Sequence, residues 1–160
     1  PRSTLFPYTT LFRSAFARDV TMAMLDPVRA RMPEVSYRRL RHAITENDRC
    51  LQARDALVRG DGPALGRLLA ESNESLARDY EVSCPELDVL VEAATALPGC
   101  VGARLTGAGF GGNTVNVVQA DAAAAFCEGL AEAYRARTGR QTTVRAVRPA
   151  AGVSLADLRA

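Results

Sequence analysis

Up to about residue 97, the apolar positions of this chain recur at helical spacing. From Tyr37 to Arg59, Leu40, Ala43, Ile44, Leu51 and Val58 fall near one face, and arginines take much of the other. Gly60 supplies a C-terminal stop. Asp61 is placed to cap a second helix with Pro63 in its first turn, and Leu65, Leu68, Leu69 and Leu76 mark the inward stripe. The short connection Gly60–Asp61–Gly62 makes these two helices antiparallel neighbours, a helical hairpin. A third helix comes next, in SCPELDVLVEAATAL. Ser83 and Glu86 stand three apart, as a capping box requires, and Leu87, Leu90, Val91, Ala94 and Leu97 face one way before Pro98 and Gly99 end the run. The earlier stretch Ala15 to Pro33 predicts only an irregular helix or turn.

The period then switches to alternation. Val101, Ala103 and Leu105 face one way, and Gly102, Arg104 and Thr106 the other; further on, Val115 and Val117 alternate with Thr114 and Asn116. Two strands therefore flank the glycine-rich stretch GAGFGG, residues 107–112. Asp121 is placed to cap a fourth helix with Ala123, Phe126, Leu130 and Ala133 inward and Gly139 at its close. A last strand, Thr142 to Val147, stops at Pro149. Three helices, strand, loop, strand, helix and strand predict an α+β domain, with an antiparallel sheet and helices covering one face.

Composition narrows the function classes. The 160 residues suit one domain, and 48% apolar residues suffice for a packed core. A net charge of +2 argues against a dedicated nucleic-acid binder. All 20 basic residues are arginine, so no mechanism that needs a lysine on a phosphate runs within this chain. The 4 cysteines, Cys50, Cys84, Cys100 and Cys127, form no C-x-x-C pair, and His42 is the single histidine. That pattern predicts free thiols in a reducing cytosol, with neither a zinc site nor a disulfide framework. No run approaches the roughly 20 apolar residues of a membrane span.

Residues 1–14, PRSTLFPYTTLFRS, differ in character from the remainder of the chain. They repeat Thr-Leu-Phe, contain no alanine and no acidic residue, and fit no secretory leader. They are expected to be a non-native leader, leaving residues 15–160 as the domain.

Residues 107–112 read as G-x-G-x-x-G. A dinucleotide-binding fingerprint needs a helix after its glycines, whereas NTVNVV here is a strand. A protein-kinase glycine loop needs a lysine, an H-R-D loop and D-F-G, and a Walker A loop needs its lysine; none is present. Two or three glycines serve a turn. The surplus leaves two readings open, a bare hairpin or a backbone that approaches something closely.

With its flanks, GARLTGAGFGGNTVNVV resembles the third conserved motif of galactokinases, within the GHMP kinase superfamily. The resemblance extends upstream to YRRLRHAITENDRCLQARDALVRGD and LGRLLAESNESLARDYEVSCPELDVLVEAA, so it covers about Tyr37 to Val147. Asn113 stands where many members carry cysteine, and Ala108 where many carry a further glycine.

The resemblance implies a ferredoxin-like C-terminal domain. It implies transfer of the ATP γ-phosphoryl group to the C1 hydroxyl of galactose, with Mg²⁺ on the phosphates and galactose 1-phosphate as product. The sugar motif, catalytic aspartate and phosphate loop of such kinases belong to an N-terminal half that this chain lacks, so the chain alone is expected to be inactive. N-acetylgalactosamine kinase and a non-catalytic galactokinase-like sugar sensor are alternatives of the same stock. Further expectations are a cytoplasmic location, a monomer, and no nucleic-acid or membrane partner.

On this reading Thr106, Gly107, Ala108, Gly109, Phe110, Gly111 and Gly112 lie beside the phosphoryl group, and no catalytic or metal-binding residue lies in the chain. Phe110 is expected to pack under the loop. Arg104 is expected to be a solvated strand arginine, Glu86 a capping residue and Asp88 part of a charged helix face. His42 lies on a helix without a partner motif.

Overall fold

The computed structural model describes residues 17–150, so the leader proposed for residues 1–14 lies outside the described residues. Short 3-10 turns at Ala17–Asp19 and Asp26–Arg31 surround helix α1, Met22–Leu25. Next along the chain are α2 (Glu34–Arg59), α3 (Gly62–Arg78), α4 (Pro85–Ala96), strands β1 (Cys100–Thr106) and β2 (Asn113–Val118), and α5 (Ala123–Thr138). Local chemistry sets several boundaries as expected. Gly60 ends α2 in the left-handed conformation at φ +66°, and the Asp61 side chain accepts the Ala64 N–H at 2.9 Å to start α3. Gly139 ends α5 at φ +72°.

Two predicted caps differ. Helix α4 begins with Cys84 as N-cap and Pro85 at its first position, without a side-chain cap bond. That start is one residue later than a Ser83 cap demands, so Glu86 falls too early in the turn to close a box. Ser83 Oγ instead donates to Asp88 at 2.6 Å, and Glu86 pairs with Arg140 at 2.5 Å. Helix α5 starts after Ala122, and Asp121 makes no cap.

Strands β1 and β2 pair antiparallel, with Ala103 opposite Asn116 and Leu105 opposite Thr114. The core lies on that face. Ala103 joins Val91, Ala93 and Ala94 of α4 and Phe126 and Leu130 of α5, while Leu105 meets Leu76 and Leu87. Helix α3 lies against β1 from another side. Gly66 and Leu69 crowd Gly102, and Asn73 Oδ1 accepts the Leu105 N–H at 3.0 Å. The expectation of helices on one face alone is therefore corrected: β1 is wrapped, and Gly66 lets α3 approach to where a Cβ would lie 2.1 Å from Val101 O.

The alternation of β2 is real, and pairing sets its phase: Thr114 and Asn116 lie on the face shared with Ala103 and Leu105, and Val115 is exposed. One further expectation is corrected. Thr142–Val147 does not join the sheet, which has two strands among the described residues. A groove of about 270 Å³ lies between β2, α5 and this segment, so the segment stands off from the ladder. Its alternation survives as packing, with Val144 against the α4–α5 cluster.

In α2 the inward set also shifts. Tyr37, His42, Ile44 and Ala56 are buried, whereas Ala43, Leu51 and Val58 are exposed. The cause is the partner surface: α2 meets α3 along a polar seam. No helix among the described residues is long and apolar enough to cross a membrane.

Candidate functional site

The candidate site is the hairpin tip between β1 and β2. Thr106 closes β1 opposite Asn113 and is half-buried, as is Gly112. Gly107, Ala108, Phe110 and Gly111 are exposed, and Gly109 is buried. Gly107, Gly109, Phe110 and Gly111 have positive φ, at +79°, +67°, +49° and +118°. Glycine takes such angles without strain, which accounts for Gly107 and Gly111, where an added Cβ would meet open space. Gly109 answers to a different demand. A Cβ there would stand 2.5 Å from Val82 O, so the close approach that surplus glycine signals is made to the turn before α4.

Phe110 departs from expectation. Its ring is 72% exposed, and its contact with the protein is through the backbone: the Phe110 N–H donates to Val82 O at 2.8 Å. With φ fixed by that bond in the left-handed region, the side chain turns outward and cannot pack under the loop. A second bond, from Gly112 N–H to Gly109 O at 3.0 Å, closes the tip on itself.

Arg104 is also corrected. It is no solvated strand arginine: its side chain is 27% exposed, and it donates to Ser72 Oγ at 2.6 Å and reaches Glu46 Oε2 at 3.3 Å. Glu46 further holds Arg49 at 2.5 Å and accepts from Ser72 at 2.7 Å. Burial by itself would raise the Glu46 carboxyl, but hydrogen bonds from Ser72 and Arg49 outweigh it and hold it below the usual range. Arg104 thus ties β1 to the α2–α3 hairpin.

His42 has a buried structural place. Its Nδ1 lies 3.0 Å from Ser75 Oγ, and its ring stacks on Tyr80 at 4.6 Å between centroids. Burial lowers its pKa, so the neutral ring is favoured. Ser75 donates to Asp79, which also pairs with Arg41. Burial would raise the Asp79 carboxyl, but the bonds from Arg41 and Ser75 prevail and hold it low. The order His–Ser–Asp leaves the serine hydroxyl donating to the carboxylate, which does not activate it as a nucleophile. All 4 cysteines are free thiols. Among the described residues no group of three His, Cys, Asp or Glu side chains could hold a metal ion.

Two residues that sequence reasoning missed, Glu81 and Val82, complete the site. Both lie in DYEVSCPELD, the run that carries much of the resemblance, yet no property of the isolated run marks Val82 as the seat of the hairpin tip.

A family model, GHMP kinases C terminal, matches residues 53–136, just over half of the chain and including the whole hairpin. The chain belongs to the GHMP kinase family. This GHMP kinase domain is 46% identical to the galactokinase of Roseiflexus sp. (strain RS-1) over 85% of its own length and 35% of the relative's. It is 50% identical to the human galactokinase, over 73% of the chain and 30% of that protein. Among solved structures, Lactococcus lactis galactokinase complexed with galactose superposes with a TM-score of 0.74 at 36% identity, over 80% of this chain and 33% of that one. The domain spans about a third of the length of these relatives, and the family model it matches is that of the C-terminal part of GHMP kinases.

Proposed function

We propose that this domain serves in a galactokinase, transferring the γ-phosphoryl group of ATP to the C1 hydroxyl of galactose, and that residues 106–112 line the phosphoryl side of the cleft. What carries the reading is the hairpin tip: a largely exposed, glycine-rich backbone, pinned at Val82 and lying within the segment that the family model matches. The galactokinase names of the relatives support the sugar, and the galactose complex is of the Lactococcus lactis protein.

Phosphoryl transfer rests on positioning and charge neutralisation; ATP would supply the transferred group, and Mg²⁺ would offset the negative charge on its phosphates. The residues fit a supporting place in that chemistry. Small residues leave room beside the backbone for a bulky anion. Thr106 adds a hydroxyl at the rim. No residue of the tip has a proton-transfer group, so the acid–base step and the Mg²⁺ ligands fall to the rest of the longer kinase. The chain by itself is inactive on this reading, and the enzyme works as a cytoplasmic monomer.

The test joins residues 17–160 behind the N-terminal part of the Roseiflexus relative and follows ATP consumption with galactose, N-acetylgalactosamine and no sugar. Galactose-dependent turnover is expected. A folded chimera without it overturns the assignment, and preference for N-acetylgalactosamine reassigns the substrate. Ala108→Glu then probes the tip, because Ala108 is exposed and the change leaves the core untouched. Its carboxylate should raise the KM for ATP about ten-fold, the weight of one misplaced charge of about 1.4 kcal/mol, with an unchanged Tm. An unaltered KM and kcat sink the phosphate-facing role.

A further inference from the structure

The glycine tip does not hold itself in place. Its seat is the Val82 carbonyl, which accepts the Phe110 N–H at 2.8 Å and meets Gly109 so closely that no Cβ fits. Val82 in turn belongs to the turn between α3 and α4, where its own N–H donates to Leu76 O at 3.0 Å. The residue before it, Glu81, has φ +57°. A long acidic side chain has no intrinsic reason to adopt the left-handed region, which disfavours any Cβ-bearing residue by roughly 1–2 kcal/mol. The surroundings must impose it.

Two arginines of α2 hold the Glu81 carboxylate. Arg38 reaches one Glu81 carboxylate oxygen at 2.7 Å, and Arg39 reaches the other at 2.5 Å. Each guanidinium also donates to backbone at the end of α3, Arg38 to Arg78 O and Arg39 to Asp79 O, both at 2.6 Å. Those carbonyls lie where a helix leaves its acceptors unpaired and its dipole favours cations. Arg39 further stands over the Tyr80 ring at 5.7 Å. An isolated surface ion pair adds little stability. Here each guanidinium holds both a helix end and the carboxylate of the turn, so the gain is in geometry: the path from Asp79 to Val82 is fixed at both its backbone and its side chain.

We propose that Glu81, clamped by Arg38 and Arg39, is a positioning residue for the glycine hairpin: it fixes the Val82 carbonyl on which Gly109 and Phe110 are seated, and so sets where the tip meets the phosphoryl group. The role in catalysis rests on the phosphate-facing reading of the tip under Proposed function; the clamp itself does not. The ligand of the clamp is internal, and its effect travels from α2 through the α3–α4 turn to a loop some distance along the chain.

The experiment compares Glu81→Asn with Glu81→Asp. Both side chains tolerate the left-handed region, so the pair differs mainly in the charge that the arginines grip. Amide exchange of Phe110 is read in the 160-residue chain, and kcat, KM and Tm in the active chimera. In Glu81→Asn, Phe110 exchange should quicken and kcat should fall, each about ten-fold, equivalent to about 1.4 kcal/mol. The KM for galactose and the Tm should stay put, and Glu81→Asp should recover most of both losses. Glu81→Gln provides a second neutral variant should Glu81→Asn lower the Tm. Unchanged Phe110 exchange in both neutral variants overturns the clamp. Faster exchange with an unchanged kcat overturns the positioning role. An unaltered response to Ala108→Glu, by contrast, counts against the reading of the tip, whatever Glu81 does.

Discussion

The two sides of β1 are built from different materials. On one side, Ala103 meets an apolar cluster of α4 and α5 in which Ala94 and Leu130 are almost wholly buried, and Leu105 meets Leu76 and Leu87. On the other, α2 and α3 meet along a seam of His42, Ser72, Ser75 and Asp79, all buried, crossed by Arg41, Arg49 and Arg104. The apolar side gains non-directional stability roughly in proportion to area. The polar side gains little net energy per bond but loses heavily for any bond left unmade. The first therefore tolerates sliding, while the second fixes the register of α2 on α3, and through Arg38 and Arg39 it fixes the turn that carries the hairpin.

The largest expected break lies in the apolar cluster. Leu130 is 1% exposed, and Leu130→Ala should lower unfolding free energy by about 2–5 kcal/mol in denaturant titration. On the polar side, Asp79→Ala leaves Arg41 and Ser75 without their acceptor and should cost about 1–3 kcal/mol by the same measurement. A loss below that of a surface substitution would show the seam to be dispensable.

Acid separates the two sides further. Asp79 and Glu46 have folded pKa values below their unfolded ones, so their contribution is present above about pH 4.5 and fades as pH falls through the folded values. His42 is lowered too, but as a base: the fold prefers the neutral ring, so stability declines as pH drops from about 6.5 toward its folded pKa. Unfolding midpoints should thus fall in two stages on acidification. His42→Gln should flatten the first stage and Asp79→Asn shrink the second, while Leu130→Ala shifts the whole curve without changing its shape. The smallest effect is expected at Phe110, whose exposed ring makes Phe110→Ala worth less than about 0.5 kcal/mol in stability.

The same division separates what was legible in the sequence from what was not. The stripe of Leu87, Val91, Ala94, Phe126 and Leu130 was readable because apolar periodicity reports burial directly. The seam was not, since arginines, serines and a histidine on α2 and α3 read as a solvent face until a partner helix is known. Leu51 and Val58 erred in the opposite sense: they continue an apolar pattern on a face of α2 that remains exposed. At the site, the glycine positions and the hairpin were apparent, but the orientation of Phe110 depended on one backbone bond to Val82.

Sequence alone determined what rests on neighbours in the chain: the stops at Gly60 and Gly139, the Asp61 cap, and the side-chain-poor hairpin between two strands. These depend on φ preference and on bonds a few residues long. Tertiary structure decided the phase of β2, the inward turn of Arg104, the standing-off of Thr142–Val147 and the seat of the glycine tip. Each of those is settled by which distant surface supplies a partner, and alternation or composition within a segment is the same whichever partner arrives.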